Sequence, residues 1–204
     1  MHFTPISTKS AGPSTLPDAA IDGAPSPAGN VRRESAWHVL TADYRRHGSA
    51  VTNGAFVSLC IYRFGHWGLH RRNAITRALA SKFYGLMNFF VANITKIWIP
   101  PLVTIGRDFH IVNNEGSLSI HPDVVIGDRL GVMHNVTIGT NMRPGAPSIG
   151  DDVFIGTNST VLGAIRVGDR VRIAANCAVT TDVPSDSVVV GSPARIYPRL
   201  GPFR

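Results

Sequence analysis

The stretch Val153-Phe154-Ile155-Gly156-Thr157-Asn158-Ser159-Thr160-Val161-Leu162-Gly163-Ala164-Ile165-Arg166-Val167-Gly168 puts an aliphatic residue at every sixth position (155, 161 and 167), with Gly directly behind two of them. The same phase extends both ways, through Ile99, Ile105, Ile111, Ile120, Ile126, Val132, Ile138 and Ile149 on one side and Ile173 and Val179 on the other. A period of six is neither helical nor a simple strand alternation. It describes a solenoid in which each hexad is one short strand and one turn. Three hexads close one triangular coil, the anchors stack into an apolar column, and successive coils lie about 4.8 Å apart. The expected fold is therefore mainly β, a parallel β-helix.

Two interruptions break the phase. Three extra residues fall between Ile111 and Ile120, and five between Ile138 and Ile149. Hexads stack without slack, so both must bulge outward. The second bulge, Asn141-Met142-Arg143-Pro144-Gly145-Ala146-Pro147, is rich in Pro and Gly and reads as a surface arm able to wall a site.

A chain of 204 residues with 44% hydrophobic content can bury a real core. The formal charge of +7 accompanies no basic stripe interleaved with aromatics, so nucleic acid is not the expected partner, and an anionic ligand is. Cys60 and Cys177 lie in different elements without metal-ligand spacing, which fits a reduced, cytoplasmic setting. Residues 1–34 read as a disordered tail, 35–97 as a helical region with breaks near Gly48 and Asn73, 98–197 as the solenoid and 198–204 as a short tail. The apolar run from Phe83 to Val103 contains Asn88, Asn93, Lys96 and Pro100-Pro101, which argue against a membrane span. It reads as a helix capping the open end of the solenoid, and peripheral contact with a membrane stays open.

The solenoid, with Tyr62-Arg63-Phe64-Gly65-His66-Trp67 before it and Val190-Gly191-Ser192-Pro193-Ala194-Arg195-Ile196 at its end, resembles the serine O-acetyltransferase branch of the left-handed β-helix hexapeptide acyltransferases. The resemblance implies a left-handed coil, a homotrimer and acetyl-CoA as co-substrate in a groove between two solenoids, with no metal. It implies cofactor contacts at Gly139, Thr140, Thr157 and Ala175, with Arg172 and Arg195 near the CoA phosphates. The family's catalytic histidines, by contrast, match Asn113 and Ala146, and its serine-holding acid matches the neighbourhood of His47-Gly48.

His134 is the candidate replacement. It stands two residues past Val132, the offset that Asn113 has from Ile111, and its place before Ile138-Gly139 resembles that of the catalytic His of sugar-modifying members. His121 is the competitor, with His110 behind it. On this reading an imidazole takes a proton from the acceptor hydroxyl and a backbone N–H near Gly139 and Thr140 steadies the oxyanion. The expected acceptor is a sugar or polysaccharide-precursor hydroxyl. The alternatives are L-serine, as in cysteine biosynthesis, and an amino-sugar nitrogen. Two further classes are a carbonic anhydrase-like metal enzyme using His110, His121 and His134, and a catalytically silent trimer.

Overall fold

All thirteen hexad anchors are buried, none more than 7% exposed. The computed structural model describes residues 36–112, 116–199 and 201. The expected tail over residues 1–34 and Asn113 both lie outside them. Three helices come first, α1 (Ala36–Arg46), α2 (Gly54–Leu69) and α3 (Ala74–Thr95), and Asn53 and Asn73 cap α2 and α3 by accepting N–H bonds in their first turns. Lys96 ends α3 in the left-handed region, with its N–H bonded to Ala92 O. The chain then enters the solenoid.

Successive short strands visit three faces in turn. Face A holds β1 (Ile97–Trp98), β4 (Leu118–Ile120), β7 (Val136–Gly139), β10 (Thr160–Leu162) and β13 (Ala178–Val179). Face B holds β2 (Thr104–Ile105), β5 (Val125–Ile126), β8 (Ser148–Ile149) and β11 (Arg166–Val167). Face C holds β3 (His110–Ile111), β6 (Gly131–Val132), β9 (Phe154–Ile155), β12 (Arg172–Ile173) and β14 (Ser187–Val190), closed by β15 (Arg195–Pro198). Among the described residues every pairing between coils is parallel, and only β14 with β15 is antiparallel. Ile155 sits opposite Ile173, so one regular coil is 18 residues long.

The solenoid's first edge would leave backbone groups without partners. The run from Phe83 to Val103 is not one capping helix, because α3 stops at Thr95 and β1 already belongs to the first coil. The cap is instead a set of polar side chains, mostly from α1 and α2. Tyr62 Oη donates to Val103 O at 2.8 Å, Arg63 donates to Ile105 O at 2.7 Å and also to Gly106 O, and His66 Nδ1 donates to Pro101 O at 2.9 Å. Asp43 Oδ1 accepts from Phe109 N–H and His47 Nε2 accepts from Ile111 N–H, both at 3.2 Å. Tyr84 of α3 adds a bond to Ile99 O at 3.2 Å. Asp43 has a fully buried side chain, ion-paired with Arg63 Nε at 3.1 Å. Burial raises its pKa more than the Arg63 charge and the Phe109 N–H lower it.

Candidate active site

The corner between faces C and A carries His134, Thr157 and Ala175 of the expected site. Val132, Ile155 and Ile173 stand opposite one another, so two residues further on His134, Thr157 and Ala175 form one column. Thr157 Oγ1 donates to His134 O at 3.0 Å, and Asn176 N–H to Thr157 O at 2.9 Å. The next residue of each hexad is Asn135, Asn158 or Asn176, all with φ between 56° and 58°. Asn tolerates this left-handed conformation better than most residues, and here its amide is also used. Asn135 Nδ2 donates to Asn158 Oδ1 at 3.0 Å, and Asn158 Nδ2 to Asn176 Oδ1 at 3.2 Å. This amide ladder fixes the backbone that presents His134. Gly116, at the end of the first bulge, packs against the same histidine: a Cβ there would lie 2.6 Å from His134 Cβ, and its φ is +92°.

Beside the column runs face A. The outward residues of its first five coils, Trp98, Ser119, Thr137, Thr160 and Ala178, are paired in one row. Beyond Trp98 the row is small, a smooth floor along which an extended arm can lie. The other expected contacts lie across that floor, at the corner between faces A and B. His121 N–H bonds Ile138 O at 2.8 Å, and a Cβ on Gly139 would stand 3.5 Å from His121 Cβ. Thr140 follows and opens the arm, whose Asn141–Gly145 part is exposed, whereas Pro147 is buried. The arm folds back on the next coil, since a Cβ on Gly145 would lie 2.6 Å from Ala164 Cβ.

The expected residues therefore fall into two groups. The four residues of β7 separate them by roughly 13 Å at about 3.3 Å per residue. A base at His134 and an oxyanion donor at Gly139 or Thr140 of the same chain do not reach one reacting carbonyl. His121 has its own constraint: its Nδ1 accepts from Asp123 N–H at 3.3 Å, which puts the ring proton on Nε2 and occupies the basic lone pair. His110 lies on outward face C, its ring edge-on to His47 at a centroid distance of 5.2 Å. Burial, then His47 and Arg46, lower its pKa. His110, His121 and His134 are thus on one face and two different corners, and among the described residues no three His, Cys, Asp or Glu side chains gather as a metal group.

Arg172 and Arg195 both point outward from face C. Arg172 is half-buried and donates to Asp152 O and Val171 O, so its guanidinium is partly committed to the solenoid, and Arg195 is exposed. Hollows of about 760 and 280 Å³ lie in the helical region, and neither touches His134 or His121. The sequence reading missed the small-residue row and the Asn ladder. The ladder had a signal, an Asn three residues after each of Val132, Ile155 and Ile173.

The family described as bacterial transferase hexapeptide (six repeats) matches residues 146–181, the coils that carry Thr157, Arg172 and Ala175. Such repeats build the acyltransferase class to which this solenoid corresponds. A serine acetyltransferase of Helicobacter pylori is 40% identical over 147 residues, covering 70% of this chain and 80% of the relative. One from Synechococcus elongatus is 32% identical over 179 residues, covering 81% and 70%. The crystal structure of serine acetyltransferase in complex with coenzyme A from Brucella abortus superposes with a TM-score of 0.68 at 26% identity, covering 81% of this chain and 68% of that one. The chain belongs to the serine acetyltransferase family. It is an acetyl-CoA-dependent acyltransferase, and its solenoid is a parallel β-helix like those of the serine acetyltransferase structures. These relatives lend no support to the expected sugar or polysaccharide acceptor, and they favour the serine alternative.

Proposed function

We propose that the protein is an O-acetyltransferase that uses His134 as general base and acts on L-serine, the acceptor that gives its relatives their name. The observation that carries the reading is the His134–Thr157–Ala175 column beside the small-residue floor of face A. The floor and column receive the pantetheine arm, and Arg172 and Arg195 on outward face C meet the CoA phosphates. His134 removes the hydroxyl proton, the oxygen bonds to the acyl carbon, the carbon–sulfur bond breaks, and the proton passes to the departing thiolate. The distance between His134 and Gly139-Thr140 supports a site shared by two chains, hence the homotrimer: the column of one chain faces the Gly139-Thr140 corner of its neighbour. A cytoplasmic location belongs to the same proposal. Cys60 and Cys177 are unpaired, and no described helix is long and apolar enough to cross a membrane.

A second reading, transfer to a sugar hydroxyl, rests on Asn113 and Ala146 standing where the family motif has histidines. One experiment separates the two. Purified protein is incubated with acetyl-CoA and either L-serine or a panel of nucleotide sugars and oligosaccharides, and product masses are read. O-Acetylserine supports the first reading, and an acetylated sugar with no O-acetylserine overturns it. With the accepted substrate, His134→Ala should lower turnover about 10²- to 10⁴-fold with CoA binding intact, and His121→Ala should leave most of it. The reverse pattern moves the base to His121.

A further inference from the structure

The chain's charge is concentrated in one place. Residues 36–96 hold eight Lys and Arg against the single acid Asp43, a net +7 that equals the formal charge of the whole protein. Residues 97–204 hold nine of each sign, and residues 1–35 three of each. Asp43 is buried against Arg63, so the helical region shows solvent no negative side chain. The charge that led to the expectation of an anionic ligand thus belongs to the helices.

On this cationic module α3 presents a second, apolar face. Ile75, Leu79, Phe83, Leu86, Phe90 and Ile94 are each between 53% and 79% exposed, and their spacing of three or four puts them in one stripe. The opposite side of α3 is already engaged. A Cβ on Gly68 would lie 2.7 Å from Ala80 Cβ, and one on Gly65 would run into the Tyr84 ring. Of the stripe only Phe83 also meets α2, edge-on to Phe64 at a centroid distance of 5.4 Å, and the rest is surplus to the packing of α2 on α3. Exposed cations frame it: Arg71 and Arg72 before the helix, Arg77 and Lys82 along it and Lys96 after it. Arg71 stacks over Trp67 at 3.8 Å, and the hollow of about 760 Å³ at this end is lined by Trp67, His70, Arg71, Arg72, Asn73 and Thr76.

We propose that α3 docks on an anionic lipid bilayer, lying in the plane of the surface with Phe83, Leu86 and Phe90 among the acyl chains and Arg71, Arg72 and Lys82 at the headgroup phosphates. Charge selects this occupant. A second copy brought to the same stripe would set one +7 module against another, whereas an anionic surface complements every exposed cation. The helix lies on the surface and does not span it. Each Lys or Arg near such a surface raises the partition roughly fivefold.

The test is flotation of the full-length protein with vesicles of phosphatidylcholine alone, or with about one-third phosphatidylglycerol. Flotation with the anionic vesicles only, reversed by about 0.5 M salt, is expected. Phe83→Ser with Phe90→Ser, and separately Arg71→Glu with Arg72→Glu, should each lower binding at least about tenfold. Acetyl transfer in free solution should persist in the charge-reversed variant. Equal binding to both vesicle types overturns the proposal, as does no binding to either. So does a wild type that fails to float while the double Ser variant loses oligomeric mass in light scattering, which identifies a second copy as the occupant.

Discussion

The two ends of the solenoid are closed by different chemistry. At the last coil the chain turns back on itself, and β15 pairs with β14 from Ser187–Pro198 to Val190–Arg195, so backbone satisfies backbone. At the first coil no strand is added among the described residues. Single side chains, drawn from up to 66 residues away in sequence, meet the carbonyls and N–H groups one by one. A backbone ladder spreads its stabilisation over many interchangeable residues. A side-chain cap concentrates it in a few that have no substitute.

That contrast can be broken most sharply at Arg63. Arg63→Ala strands Asp43 as a buried, unpaired carboxylate and uncovers two carbonyls, so urea unfolding should show a loss of about 3–5 kcal/mol. Arg63→Lys should recover only part of it, because an ammonium cannot span both the carboxylate and the two carbonyls. Tyr62→Phe keeps the buried ring and removes only the bond to Val103 O, at an expected cost of about 1–3 kcal/mol.

Acid should loosen the same end. His66 and His110 both have pKa values lowered from 6.5, His66 chiefly by burial, as is His110. The unfolded chain therefore binds more protons in this window, and stability present above about pH 6.5 is lost as pH falls toward the folded values. Asp43 has the opposite sign, since a raised carboxyl pKa relieves its burial as pH drops, from a starting value of 3.8. Midpoints of thermal unfolding at a series of pH values should fall from pH 7.5 to 5.5, and His66→Gln with His110→Gln should flatten the slope. The smallest effect belongs to the other end: Tyr197→Ala, on the exposed β15, should change stability by no more than about 0.5 kcal/mol.

The repeat was readable because it is periodic. Anchor, corner and bulge each recur in a window of six, and every anchor taken from the sequence is buried. The cap was not readable in the same way. Tyr62-Arg63-Phe64-Gly65-His66-Trp67 stood out as a motif, yet it looks like a helix packing rings inward with a charged rim. Only the fold shows that Tyr62, Arg63 and His66 reach backbone atoms of the first coil. The site was legible in half. The offset read for His134 and Asn113 is also that of Thr157 and Ala175, which the resemblance had named, and in the fold that offset is a register that sets His134, Thr157 and Ala175 in one column. The same periodicity said nothing of Gly139 and Thr140 lying at a different corner, because hexads do not announce which of three faces they occupy. Arg172 shows the same limit, as a phosphate candidate by position whose guanidinium also serves the Asp152 carbonyl.

The 18-residue coil also sets how this protein would yield to force. Each coil touches only its neighbours, so a pull on the C-terminal end would first shear away β15 and then peel the stack from the free edge, one coil at a time. A released coil lengthens the chain by roughly 60 Å, at about 3.4 Å per residue. A force–extension trace should therefore be a sawtooth, its teeth wider where a bulge lengthens the coil, as from Ile111 to Val132 and from Val132 to Ile155. Its last tooth should be the tallest, where the first coil is held by the side chains of the helices and not by another coil.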